Sequence, residues 1–229
     1  MARQERAVRT RQKILVAAAE VFDQVGYDAA TISEILKRSG VTKGALYFHF
    51  TSKEELAQAV LANQMTALPQ VPEQELIMQE GLDASLLLAY LLYLHEPVVR
   101  GSVRLTVEQG ALQNVLDRRV PMQAWISHNA ALLTRAKSAG ELLPHVDVDV
   151  AARMFIGAFT GAQVLSKIMT DHADIVECVT EVLQHLLASI MVPGVLVRMD
   201  FSRDRAARVY EAAMALHREQ EEPEPARIG

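Results

Sequence analysis

Ser39-Gly40-Val41-Thr42-Lys43-Gly44-Ala45-Leu46-Tyr47-Phe48-His49-Phe50 decides the architecture of the N-terminal quarter of this 229-residue chain. Gly40 can adopt the left-handed backbone that ends a helix, and the Thr42 hydroxyl can accept an amide proton from the first turn of the next. The spacing predicts one helix closing at Gly40 and a second running from Lys43 to about His49. Upstream, Thr31-Ile32-Ser33-Glu34 has the capping-box pattern, in which the hydroxyl takes the amide of the third helical residue and the Glu reaches back to the cap amide. Downstream, Ser52-Lys53-Glu54-Glu55 has the same pattern and opens a further helix with Leu56, Val60 and Leu61 on one side. Ahead of all three, Leu15, Ala18, Phe22 and Val25 form one stripe of a helix from about Val8 to Val25, with Gly26 as its stop.

Two short helices joined by a tight Gly-containing turn, the second beginning with small, polar and basic residues, form the helix-turn-helix unit that enters the DNA major groove. The entering helix is Thr42 to His49. Thr42, Lys43, Gly44 and Ala45 offer a hydroxyl, an ammonium and two positions without bulk, so its start can approach phosphates and base edges. Tyr47 and His49 lie on its outer side, while Leu46 and Phe50 face Ile35 and Phe22. Charge agrees: residues 1–53 carry a net +4 and residues 54–229 a net −9, so only the N-terminal quarter suits a polyanion. Thr42, Lys43 and Ala45 are expected near bases, and Tyr47 and Lys53 on phosphate. Arg3, Arg6 and Arg11 are expected on phosphate or in the adjoining minor groove; Thr31, Ser33, Gly44 and His49 complete the candidate DNA-binding set.

The remainder also follows helical periodicity, with no alternating stretch bounded by hairpin signals. Pro69 and Pro72 make a stiff break, which places a DNA-binding domain at residues 1–66 and a ligand-binding and dimerisation domain at residues 67–229. Helices are predicted over about 73–95, 97–109, 121–139, 148–170, 173–191 and 201–218, with Pro97 and Pro121 in first turns and Gly140 and Pro193 as stops. The acidic, Pro-rich tail from Glu219 onward is expected to fray. The fold class is therefore all-α: a three-helix helix-turn-helix head plus a C-terminal helical bundle, about nine to ten helices in total.

Half of the residues are apolar and 22% are charged, which excludes a disordered or collagen-like chain. The longest uncharged apolar stretch, Ala84 to Leu94, has 11 residues, and a bilayer needs about 20. With no leader-like apolar core at the N-terminus, the cytoplasm is the expected location. The single cysteine, Cys178, sits in a helical apolar pattern and is expected to be an inert, buried thiol. Seven histidines are scattered without an i, i+4 pair, and no G-x-S-x-G, P-loop or G-x-G-x-x-G is present. No catalytic residue, metal site or cofactor is expected. An enzyme and a helical adaptor without a DNA role are the rival classes, and the basic, doubly capped head speaks against both.

The helix through Ala84 to Leu94, Leu88 included, is apolar all round and must be covered on every side; an interior without charge suits an uncharged apolar ligand. Trp125, the only tryptophan, shares a face with Asn129 and Leu132 and reads equally as core or as a ligand wall. Thr160 and Gln163 lie amid Phe155, Ile156, Phe159 and Val164, and Gln64 lies one turn past Val60. Polar groups on apolar helices need partners, here a ligand or nearby backbone. Val176, Val179, Leu183, Leu186, Leu187 and Ile190 form a stripe wider than one packing partner requires, and Gly157 and Gly161, four apart, permit close helix approach.

Gly26-Tyr27, Thr31 to Ile35, Ser39 to Phe50 and Ser52 to Leu56 together resemble the N-terminal DNA-binding domain of the TetR family of transcriptional repressors. The resemblance implies a homodimer with two helix-turn-helix heads and a C-terminal domain whose small effector releases the operator. Arg9-Thr10-Arg11-Gln12, Ala17-Ala18-Ala19, Val103-Arg104-Leu105, Gly140-Glu141-Leu142-Leu143-Pro144-His145, Gly157 to Gly161 and Val192 to Leu196 extend it. Over nearly the whole chain the sequence looks like the γ-butyrolactone and butenolide autoregulator receptors of filamentous actinomycetes, a group that includes receptors for the butenolide avenolide. This implies a repressor of antibiotic biosynthesis and regulatory genes, with a small apolar lactone or butenolide held by Gln64, Leu88, Trp125, Phe159, Thr160 and Gln163. Trp125 would close the pocket over the ligand ring, and the helices bearing Gly157 and the Val176 stripe would form a four-helix dimer interface. The alternative is a TetR-like pseudo-receptor responding to an antibiotic or other apolar metabolite; an isoelectric point near 5.8 leans away from it. The helix from Ser52 to Gln64 and Met65 is the expected lever between effector and head.

Overall fold

The three helices of the head that follow Gly26 each start on a cap that the sequence announces. Thr31 Oγ1 accepts from the Glu34 amide at 3.2 Å while the Glu34 carboxylate accepts from the Thr31 amide at 3.3 Å, so the capping box is closed in both directions. Thr42 Oγ1 accepts from the Ala45 amide, and Ser52 Oγ from the Glu55 amide. The Glu55 carboxylate departs from the box pattern: it takes the amide and the hydroxyl of Thr51, one residue ahead of the cap.

The computed structural model describes residues 2–64, 68–107 and 116–221. Helices α1 (Ala2–Ala29), α2 (Ile32–Ser39), α3 (Lys43–His49) and α4 (Lys53–Ala62) are followed by α5 (Ile77–Tyr93), α6 (Pro97–Val107) and α7 (Arg119–Ser138). Then come α8 (Val148–Thr170), α9 (Ile175–Ile190), α10 (Pro193–Leu196) and α11 (Arg205–Glu221). The chain is all-α as expected. The eleven helices among the described residues exceed the expected count because Pro193, read as a stop, instead opens a short helix of its own. The expected stop at Gly26 is a kink (φ 75°, ψ 174°), a conformation open to glycine, and α1 resumes for one turn beyond it. Met65, the side chain of Arg3 and the tail beyond residue 221 lie outside the described residues.

Packing divides the chain into two units, Met1–Ala67 with His95–Gln123, and Leu68–Leu94 with Ala124–Gly229. The first unit therefore contains the head and also α6, which the sequence had grouped with the second domain. Its core gathers Ile14, Leu15, Ala18 and Phe22 of α1 with Ile35, Leu46, Phe50, Leu56 and Leu61. Val25, expected on the same stripe, is exposed; Tyr27, beyond the kink, stacks on Phe22 with ring centroids 5.9 Å apart. Helix α6 packs chiefly on α1. Gly101 is what allows it: a Cβ there would stand 2.1 Å from the Ala19 carbonyl oxygen. Arg100 Nε meets Asp23 Oδ1 at 3.1 Å, and Arg104 donates to the Asp23 carbonyl at 2.6 Å.

In the second unit α5 is central, packing on α9 and α11, and α8 packs on α9. The α5 N-terminus has no cap of its own. Glu141, buried, supplies one from a distance, accepting the amides of Ile77 (2.9 Å) and Met78 (2.8 Å). Asp83, fully buried on α5, is gripped by Arg205 of α11 through Nε (2.9 Å) and Nη2 (2.5 Å) and accepts from Gln79 at 2.8 Å. Within the apolar stripe on α9, Val179, Leu183, Leu187 and Ile190 are buried, while Val176 and Leu186 are half-buried. Fully exposed apolar side chains lie on α8, at Val150, Met154, Leu165, Ile168 and Met169.

Candidate nucleic-acid interface and effector residues

Helix α3 shows why its few residues divide as they do. Leu46 and Phe50 are buried in the head core, which leaves Thr42, Lys43, Gly44, Tyr47 and Phe48 exposed and Ala45 and His49 half-buried. The Lys43 ammonium lies 5.9 Å from the Tyr47 ring centroid, one helical turn away, so the cation and the phenol form one polar column. Gly44 and Phe48 form a second column beside it. Phe48 is 80% exposed, and the His49 ring packs on it edge-on at 5.0 Å.

Two further candidates are partly committed inside the head. Arg11, exposed on α1, lays its guanidinium 5.2 Å from the Phe50 ring centroid. Lys53, expected on phosphate, directs its ammonium to the carbonyls of Tyr27 (2.9 Å), Ala30 (3.0 Å) and Asp28 (3.4 Å) and over the Tyr27 ring. Thr31 spends its hydroxyl on the α2 cap, Ser33 is exposed in the first turn of that helix, and Arg6 is exposed on α1. At the start of α4 the carboxylates of Glu54 and Glu55 are held below the usual range, Glu54 chiefly by its own amide and Glu55 by hydrogen bonds from Thr51. Both charges suit a helix N-terminus.

Among the proposed effector residues, Gln64 is buried just past α4 in the first unit. Leu88 of α5 is buried, Trp125 of α7 is half-buried, and Phe159 and Thr160 of α8 are half-buried beside buried Gln163; all five belong to the second unit. The Asn129 amide donates to the Trp125 carbonyl, so part of its hydrogen-bonding capacity is used within α7. Leu132 reaches α5, where it lies within 3.1 Å of the position a Gly81 Cβ would take. No group of three or more His, Cys, Asp or Glu among the described residues is placed to hold a metal ion.

Phe48, the most exposed large apolar side chain of the head among the described residues, is absent from the sequence-predicted set. Its position four residues beyond Gly44 on the same helix was the available signal. Glu141 and Gly101 are absent from that set too, because their roles depend on elements distant in sequence.

The family model for bacterial regulatory proteins of the TetR family matches residues 14–60. The chain is 39% identical over 228 residues to the A-factor receptor protein of Streptomyces griseus, covering 100% of this chain and 79% of that one. A crystal structure of TylP, a TetR regulator from Streptomyces fradiae, superposes with a TM-score of 0.87 at 61% identity, covering 91% of this chain and 99% of that chain. A crystal structure of a γ-butyrolactone receptor described as ArpA-like superposes with a TM-score of 0.58 at 27% identity, covering 93% of this chain and 98% of that chain. The relatives are transcriptional regulators, and the chain is a DNA-binding regulator rather than an enzyme. It belongs to the TetR family of bacterial regulatory proteins.

Proposed function

We propose that the protein is a homodimeric repressor that binds a near-palindromic operator and is released from it by a γ-butyrolactone or butenolide, thereby controlling antibiotic biosynthesis and regulatory genes. The observation that carries this reading is the similarity to the A-factor receptor protein along the whole chain, which takes in the effector region as well as the head. Residues 1–66 supply the DNA contacts and residues 67–229 the effector pocket and dimer contacts, with α6 seated on the head. Two heads related by two-fold symmetry address half-sites about 34–36 Å apart. Lys43, Thr42 and Ala45 face bases, Tyr47 and Arg6 face phosphate, and Arg3 and Arg11 face phosphate or the minor groove.

Helix α8 supports the dimer. By length and composition it could cross a bilayer, yet it carries Asp149, Arg153 and Lys167 and packs on α9. Val150, Met154, Gly157, Gly161, Leu165 and Ile168 recur at spacings of three and four along its exposed side, the pattern of a helix-to-helix seam. A Cβ at Gly157 or Gly161 would meet nothing, so both leave room for a partner helix. A repressor of chromosomal promoters works in the cytoplasm.

The test is a pair of affinities for the same ligand, a synthetic γ-butyrolactone or butenolide, measured with and without saturating operator. Coupling is reciprocal, so the ligand must weaken operator binding by the factor by which operator weakens ligand binding. Trp125→Ala should keep operator binding and lose release, because the indole supplies apolar area to the pocket and nothing to the head. Equal ligand affinities in the two states would remove the effector from the mechanism.

A further inference from the structure

We infer that Gly44 and Phe48 together read the 5-methyl group of a thymine in the operator. The inference rests on the DNA-binding reading above and assigns to it a specificity element outside the hydroxyl and ammonium of Thr42 and Lys43. Two independent observations carry it. Phe48 keeps 80% of its surface exposed, with the edge of the adjacent His49 ring 5.0 Å from its own, so a large apolar face stands open to solvent. One turn earlier stands Gly44, which the fold does not require. Its backbone is helical and an added Cβ would meet no atom within 4 Å, so the fold would accept alanine there. The reason for a glycine there lies outside the chain.

Side chains on a helix lean toward its N-terminus, so the Phe48 ring extends over the turn that holds Gly44. The result is an apolar wall beside a notch without a side chain, on the exposed face of the helix that enters the major groove. Base edges in that groove present donors, acceptors and a single apolar group, the thymine methyl. A methyl lodged above Gly44 and against Phe48 leaves neither surface in water. Cytosine, without the methyl, would leave the ring exposed.

The experiment uses the full-length protein and a duplex operator that it selects from a random pool. Each thymine of the selected duplex is replaced in turn by deoxyuridine, which removes only the methyl. The wild type should lose affinity about four-fold at one position per half-site, the equivalent of about 0.8 kcal/mol for one buried carbon group. Phe48→Ala should lower affinity for the thymine operator and bind thymine and deoxyuridine duplexes alike, with unchanged thermal stability since the ring is outside the core. Gly44→Ala should weaken operator binding while leaving the fold as stable or more so. Selection of a sequence with no deoxyuridine-sensitive position overturns the inference and leaves operator binding intact, as does sensitivity that survives in Phe48→Ala. Failure to select any sequence overturns the DNA-binding reading itself, and this inference with it.

Discussion

The ammonium of Lys53 lies 4.3 Å from the centroid of the Tyr27 ring and donates to the Tyr27 carbonyl at 2.9 Å. Carbonyls of Asp28 and Ala30 take further hydrogen bonds, so one cation at the start of α4 gathers the end of α1 beyond the Gly26 kink. Helix ends leave carbonyls without partners, and a cation there also suits the dipole.

Lys53→Met should therefore destabilise the head by about 1–2 kcal/mol in denaturant unfolding, in the range of hydrogen bonds to a charged group at a part-exposed site. The salt dependence of operator binding should stay as in the wild type. A phosphate contact predicts the opposite pair: unchanged stability and a salt slope smaller by about 0.9.

Tyr27 gives the same corner a pH dependence. Burial, then the charge of Glu54 and a hydrogen bond to it, push its phenol from 10.0 up to about 12. A raised acid keeps its neutral form in the folded state, so the stability it contributes is complete below about pH 10 and is lost as the pH climbs toward 12. Tyr27→Phe should show a flatter fall in melting temperature between those pH values than the wild type. Parallel curves for the two proteins would separate the phenol from alkaline unfolding.

Glu141 offers a test in the second unit. Its buried carboxylate is the partner of two amides at the start of α5, where the N-cap residue Leu76 has no polar side chain to offer. Glu141→Ala should cost about 1–3 kcal/mol, the penalty for leaving buried donors without acceptors, and Glu141→Gln should fall between. Urea midpoints of the three proteins give the order directly; an alanine variant as stable as the wild type would mean that solvent takes over the cap.

The head was legible because its signals are local. Thr31, Thr42 and Ser52 each cap a helix within three residues, and Gly40 ends one in the left-handed conformation expected of it (φ 65°). Glu55 shows the limit of such patterns, since the donors of Thr51 and the amide of Ser52 compete for one carboxylate and sequence spacing cannot rank them. The α9 stripe is divided in a way periodicity cannot show, since it gives which side is apolar and not what covers it: Val179, Leu183, Leu187 and Ile190 are buried, Val176 and Leu186 half-buried. Helices α5 and α8 pack on it, and α5 is four helices earlier in the chain. Where α6 packs was hidden for a related reason: chain order places it between α5 and α7, while the absence of a side chain at Gly101 lets it lie on α1. Effector residues were the least legible. Trp125, Thr160 and Gln163 are intelligible as core or as pocket until something is bound.

Gly101 also yields the sharpest test of what positions the head. An added Cβ would stand 2.1 Å from the Ala19 carbonyl oxygen, 2.7 Å from its carbon and 2.9 Å from its Cα. All three are backbone atoms in the middle of α1, so no side-chain rotation can relieve the clash and the two helices must separate. Separation strains the Arg100–Asp23 ion pair and the Arg104 hydrogen bond on the same seam. Gly101→Ala should then destabilise the protein by about 1–3 kcal/mol, as overpacking does. Because α1 also carries Arg6 and Arg11 and buries Phe22 in one core with Leu46, operator affinity of the folded protein should fall as well. Measuring both separates two roles for α6. Lost stability with unchanged operator affinity would make α6 a prop for α1 alone, whereas a joint loss shows that the seating of α6 sets where the recognition helix stands.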